Sequence, residues 1–126
     1  MNFPSNVKYS KKDEWARVEG DTIVLGISDF AQDALGELVH VELPEVGRTV
    51  SAGEAIIEVE SVKAVSDVYS PVDGAIVAIN VALDGDESKV NSDPYGEGWL
   101  VKIKVADQAG LDALMDADAY QAQVKK

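Results

Sequence analysis

Short apolar segments rich in valine and isoleucine recur along this chain: "TIVLGI" (22–27), "LVHVEL" (38–43), "AIIEVE" (55–60), "VYS" (68–70), "AIVAI" (75–79) and "WLVKIKV" (99–105). Gly47, Gly53 and Gly74 punctuate them. β-Branched runs of this length, broken by turn residues, read as strands, and several at such spacing predict a barrel or a sandwich. In the last run Trp99, Val101, Ile103 and Val105 alternate with Leu100, Lys102 and Lys104. In "LVHVEL", Val39, Val41 and Leu43 alternate with His40 and Glu42, which predicts a half-buried strand with His40 on its polar face. An echo at an offset of 27 residues pairs Gly47 with Gly74, Val50 with Val77 and Ile56 with Leu83, as a two-fold β structure would produce.

Helical signals are few. Ser28 is an N-cap candidate ahead of "DFAQDAL", Asp29 suits the first turn, and Gly36 can close the helix. Phe30, Ala34 and Leu35 share one face of it. Leu111, Leu114 and Met115 recur at helical spacing near the end, which predicts one or two short helices covering the sheet. Residues 1–13 are polar and are expected to lie over the surface. The stretch 84–98 is polar, few of its residues suit a core, and a connection that long is usually functional or mobile.

With 126 residues the chain is expected to be one domain, 1–126, with a single core. It carries 23 acidic against 11 basic residues, a net charge of −12. That balance argues against nucleic acid and against an anionic membrane, and favours basic patches on protein partners. There is no cysteine and one histidine, so cysteine nucleophiles, disulfides and multi-histidine metal sites are excluded. No apolar run reaches transmembrane length and no signal core follows Met1, so a cytoplasmic protein is expected (mitochondrial matrix for a processed eukaryotic chain). No long apolar surface stripe is evident, which predicts a monomer.

One stretch resists this bland reading. In "ESVKAVSD" (60–67) a lone lysine, Lys63, lies between two strand segments, with Glu60 before it and Asp67 after it. Tight turns usually carry Gly, Asn or Asp, and "SVKAV" has none. The tip is also more apolar than exposure requires. Nothing beside Lys63 would activate it as a nucleophile, whereas a protruding amine with small flanks suits enzymatic acylation.

"ESVKA" followed by "SPVDG" (70–74) resembles a lipoyl-lysine hairpin. Together with "KYSKKDEWARVEGD", "LGISDFAQDALGELVHVELPEVGRTVSAGE" and "VNSDPYGEGWLVKIK", it resembles the H-protein family of the glycine cleavage system over residues 7–122. The resemblance implies a mostly β, flattened barrel-sandwich hybrid of the lipoyl-domain type, with a short helix near 28–36 and C-terminal helices. It implies lipoate amide-linked to Lys63, with Glu60, Ser61, Val62 and Ala64 around the attachment point. Glu14 and Asp67 are the implied acidic members of a groove that shelters the loaded arm. The chain would be a carrier, not an enzyme. Its implied partners are the pyridoxal-phosphate glycine decarboxylase (P protein), the tetrahydrofolate-dependent aminomethyltransferase (T protein) and dihydrolipoamide dehydrogenase (L protein). A lipoate ligase or lipoyl/octanoyl transferase would attach the cofactor.

Lys12 and Asp13 depart from the family, which often has a small hydroxyl residue and a histidine there. Trp99 and Tyr95 are expected to pack and to do no chemistry. Rival readings are a biotinyl domain, a lipoyl domain of a 2-oxoacid dehydrogenase complex, a lipoyl donor for other enzymes, and an unmodified binding module. Methionines usually flank a biotinyl lysine, and an Ala/Pro-rich linker usually tethers a 2-oxoacid dehydrogenase domain. The chain has neither.

Overall fold

The computed structural model describes residues 2–107 and 109–124. Among the described residues nine strands form two antiparallel sheets. The larger takes β1 (Lys8–Tyr9), β2 (Glu14–Glu19), β3 (Thr22–Ile27), β9 (Val101–Val105), β8 (Gly74–Ile79) and β5 (Thr49–Val50), in that spatial order. The smaller is β4 (Leu38–Glu42), β6 (Ala55–Ser61) and β7 (Val65–Tyr69). Leu25, Ile76 and Ile103 from the larger sheet meet Leu38, Val59 and Val68 from the smaller in one core. Both sheets stay open, so of barrel and sandwich it is the sandwich that describes the chain.

The strand predicted at 22–27 forms over those residues, and a strand that the apolar runs do not announce lies against it. β2 reads "EWARVE", with charges at both ends and in the middle. It joins β3 through Gly20 and Asp21, and Gly20 takes φ 68°, which glycine adopts at no steric cost. Trp15 on β2 sits directly opposite Gly26 on β3. Any Cβ at Gly26 would fall 2.6 Å from the indole, so this glycine makes room for the largest buried side chain of the protein.

Trp15 belongs to a second core that contains Val7, Tyr9, Val24, Ala117 and Tyr120. Residues 1–13 therefore do not simply cover the surface: Val7 and Tyr9 are buried, and Tyr9 stacks on Tyr120 with ring centroids 4.5 Å apart. Polar neighbours hide these two anchors in the sequence. The stretch 84–98 is likewise packed in part. Its helix α2 (Lys89–Ser92) buries Val90, and Tyr95 and Trp99 pack against the second core, as expected of them. The carbonyl of Pro94 accepts the Trp15 indole N–H at 2.9 Å.

Helix α1 (Asp29–Leu35) starts and stops as its sequence predicts. Ser28 Oγ accepts the Ala31 N–H, and Gly36 at φ 84° returns its own N–H to Gln32 O. Of the predicted face, Leu35 packs on the core, joined there by Ala31, while Ala34 is exposed and Phe30 is not among the core residues. Ser28 is buried and bonded to the Tyr120 hydroxyl at 2.6 Å, which fixes the rotation of the first turn. In β4 a register shift between Leu38 and His40 buries Leu38 and leaves Val39 exposed, against the predicted alternation. His40 is exposed, as predicted. Leu100, predicted on the face opposite Trp99 and Val101, is fully buried.

The 27-residue echo has no structural counterpart. Val50 is buried where Val77 is 44% exposed, and Gly47 is left-handed where Gly74 is not. Near the end, α3 (Ala109–Asp112) and α4 (Ala117–Val124) form, with Leu111 and Leu114 on the main core and Met115 on the second.

Gly26→Ala is expected to destabilise the fold by about 1–3 kcal/mol through overpacking against Trp15. Urea denaturation, with tryptophan fluorescence as the probe, measures it.

Candidate functional site

The hairpin of β6 and β7 carries Lys63 at its tip, with Val62 and Ala64 beside it. The turn lacks glycine because a serine does the work. Ser61 is buried, its N–H donates to Ala64 O at 2.8 Å, and its Oγ accepts the N–H groups of Lys63 (3.3 Å) and Ala64 (3.0 Å). A side-chain hydroxyl thus satisfies the backbone donors that a turn leaves open. Outside it, Val62 is 71% exposed, and Lys63, Ala64 and Glu60 are exposed too. Among the described residues no carboxylate lies within ion-pair distance of the Lys63 ammonium, so neither Glu60 nor Asp67 is its partner.

The tip is braced from outside the hairpin. Val62 N–H donates to Glu37 O at 3.2 Å. The Lys63 stem runs past the end of α1, where a methyl group at Gly36 would sit 3.5 Å from Lys63 Cε. Asn91 holds that corner in turn: its amide nitrogen donates to Gly36 O (2.8 Å) and Gln32 Oε1 (3.0 Å), and its Oδ1 accepts the Leu38 N–H. Asn91 comes from the polar stretch whose packing is not legible in the sequence. Its role could have been suspected only from its place in "KVNSD", directly after a buried valine.

A groove of about 170 Å³ runs along α1 between the helix and the small sheet. Ala31, Ala34 and Leu35 form its helical wall, Val59, Ser66, Asp67 and Val68 its sheet wall, and Lys12, Asp13 and Glu14 close one end. Glu14 and Asp67, far apart in sequence, therefore line one cavity. Leu35 in its wall is adjacent to Gly36, against which Lys63 lies. Glu60, Val62 and Ala64 are not brought to the groove, and Ser61 acts from within the turn. Asp67 also borders a shallower depression of about 250 Å³ beside Glu42, Arg48 and Glu58.

Glu14 is 3% exposed. Its Oε1 accepts the Ser10 hydroxyl at 2.7 Å and its Oε2 accepts the Tyr69 N–H at 2.9 Å. Burial pushes its carboxyl above the ordinary 4.5, while these two hydrogen bonds and nearby Lys12 pull against that rise. Asp13 takes φ 70°, a conformation aspartate tolerates, and its Oδ1 accepts the Tyr120 hydroxyl at 2.9 Å. With that proton committed to Asp13, Ser28 donates to the Tyr120 oxygen. The C-terminal helix thereby fixes the acidic end of the groove. Ser10, Tyr69 and Tyr120 are the residues that sequence reasoning missed here, since each acts through partners remote in the chain. Among the described residues no group of His, Cys, Asp and Glu side chains could hold a metal ion, and no helix is long and apolar enough to cross a membrane.

The chain is an open two-sheet β structure that presents a braced lysine at a hairpin tip beside a helix-walled groove. The sequence profile of the glycine cleavage H-protein family matches residues 7–126. A glycine cleavage system H protein of Thermus thermophilus is 55% identical over 121 residues, covering 96% of this chain and 94% of that one. One of Bacteroides fragilis is 51% identical over 124 residues, covering 98% of each. The crystal structure of a glycine cleavage system H protein from Mycobacterium marinum superposes with a TM-score of 0.86 at 40% identity, covering 98% of this chain and 99% of that one. The chain belongs to the glycine cleavage H-protein family.

Ser61→Ala is expected to cost about 1 kcal/mol and to speed amide exchange at Lys63 and Ala64, because two N–H groups lose their acceptor. Hydrogen exchange resolved by NMR checks this. Glu14 carries a pH signature. Its folded value lies above its unfolded one, so across that interval the folded chain holds a proton the unfolded chain has released. Stability contributed at this site therefore falls as pH rises from about 4.5 through the raised value. Glu14→Gln, which can still accept from Tyr69, removes the effect. The melting temperature of the variant minus that of the parent should climb over this interval and level off above it, in melts taken across a pH series.

Proposed function

We propose that this protein is the lipoyl-carrying shuttle of a glycine cleavage system, moving the aminomethyl group of glycine from the pyridoxal-phosphate decarboxylase to the tetrahydrofolate-dependent aminomethyltransferase. Lipoate, in amide linkage to Lys63, supplies the redox and carrier chemistry. The observation that carries this reading is the Lys63 tip: an exposed amine without an ion pair, on a turn closed by a buried serine instead of glycine. A modifying enzyme, a lipoate ligase or a lipoyl/octanoyl transferase, can reach such an amine between Val62 and Ala64 without unfolding the hairpin.

The chain itself contributes mount and shelter, not catalytic groups. Ser61, Glu37 and Asn91 keep the tip rigid. Glu14 and Asp67 give the groove acidic oxygens that can receive a cationic load, and Ala31, Ala34 and Leu35 limit its access to water. At the exposed Asp67 a carboxylate–ammonium pair is worth only about 0–1 kcal/mol, a bias weak enough for a carrier that must let go. The net charge of −12 suits successive encounters with basic patches on the decarboxylase, the aminomethyltransferase and dihydrolipoamide dehydrogenase. We further propose that residues 1–126 act as one domain and that the protein works as a monomer. The bacterial origin of the relatives above supports a cytoplasmic setting.

Incubation with lipoate, ATP and a lipoate ligase should add one lipoyl increment to the intact mass, mapped to Lys63. Lys63→Arg should keep the parent circular dichroism spectrum and melting temperature yet take up none and support no glycine decarboxylation. Lipoylation elsewhere, or turnover by the arginine variant, would falsify the assignment.

A further inference from the structure

Lys12 lines two cavities at once. One is the groove with Glu14 and Asp67. The other is a cleft of about 320 Å³ on the far side of Glu14, with Tyr69, Pro71 and Leu114 in its wall. The Lys12 ammonium rests in that second cleft, 3.8 Å from the centroid of the Tyr69 ring. Among the described residues it has no carboxylate within ion-pair distance, although Glu14 is two residues away. Glu14 meanwhile spends one acceptor site of each oxygen on Ser10 and on Tyr69 N–H. Each oxygen keeps a further lone pair. The acid and the base of this corner are thus kept apart by a single aromatic residue, whose backbone serves the acid and whose ring serves the base.

We propose that Lys12 is a resident competitor cation that limits how tightly the groove holds an ammonium, and so sets how readily the groove releases its load. A lysine stem is flexible and an exposed cation–π contact is weak, so the ammonium can leave Tyr69 and reach the mouth of the groove at little cost. From either position it repels a second cation seated between Glu14 and Asp67, and it already neutralises part of their field. A groove with a neutral residue at this position would grip the same cation more firmly. This inference rests on the groove's proposed role as a cation cradle, and it adds the residue that tunes that role.

The test uses a small free cation, so it does not require a loaded arm. Propylammonium is titrated into the isotope-labelled, unmodified protein, and amide shifts at Ala31, Leu35, Ser66 and Asp67 report binding. Propan-1-ol serves as the neutral control. Lys12→Gln and Lys12→Met, the latter keeping the length of the stem without its charge, are expected to bind propylammonium about two- to five-fold tighter than the parent. The difference should shrink in high salt, and propanol should not distinguish the three proteins. Equal affinity of parent and variants for propylammonium would overturn the inference and leave the carrier reading standing. No shift in any of the three would remove the cation cradle and this inference together. Failure of lipoylation at Lys63 with the charge-dependent binding intact would sink the carrier reading alone.

Discussion

Glu14 begins the second strand of the larger sheet, and its carboxylate is received by the end of the smaller one. Few side chains are a worse choice for burial, since desolvation penalises the charge. The structure meets that cost with two donors, a hydroxyl from Ser10 on one oxygen and the backbone N–H of Tyr69 on the other. The consequence is mechanical as well as electrostatic. Tyr69 closes β7, the strand that descends from the Lys63 tip, so the acid ties the lysine-bearing hairpin to the N-terminal segment. Asp13, one residue earlier, is tied through Tyr120 to the C-terminal helix and through its carbonyl to Ser28 N–H, at the start of α1. Two adjacent acids thereby gather both ends of the chain, the helix and the hairpin around one groove.

Much of this was legible in the sequence, and the illegible parts share a cause. The run "TIVLGI" and the Ser28 and Gly36 signals declare themselves locally, because a strand period and a helix cap are properties of neighbouring residues. β2 does not declare itself. Its pattern "EWARVE" makes sense only beside Gly26, whose missing side chain receives the indole. Val7, Tyr9 and Asn91 read as members of polar stretches because their partners are Tyr120, Met115, Gly36 and Leu38, all distant in sequence. The same holds for the site. Lys63 stood out through an oddity of composition, a turn without turn residues. Its explanation, the buried Ser61 hydroxyl, sits two positions away in the quoted motif. In the sequence only the family resemblance pairs Glu14 with Asp67, since nothing in their own surroundings says that they share a cavity.

The role proposed for Lys63 makes conflicting demands on the hairpin. An amine that is to be modified must protrude, and Val62, Lys63 and Ala64 do face solvent, with two apolar side chains near the tip, Val62 and Val65, left exposed. A mount for an arm must also not bend, or the arm's origin would wander. Rigidity comes from beneath and from the side: Ser61 within the turn, Glu37 through its carbonyl, and Asn91 through three hydrogen bonds around the end of α1. None of these contacts engages the Lys63 ammonium, which leaves that group to chemistry supplied from outside.

Lys12 carries its charge where two cavities share a wall. Among the described residues it lies within ion-pair distance of no carboxylate, as is true of every described lysine except Lys89. On the Tyr69 ring the cation offsets the charge of Glu14 only in part, whereas a direct salt bridge would neutralise it. Stacking on Tyr69 therefore keeps the groove acidic and keeps a positive charge near its mouth, a combination that direct pairing would abolish. In the proposed cradle, attraction would draw a cation in, and a like charge at the entrance would limit how long it stays. For a carrier, whose load is useful only when surrendered, a shallow well serves better than a deep one.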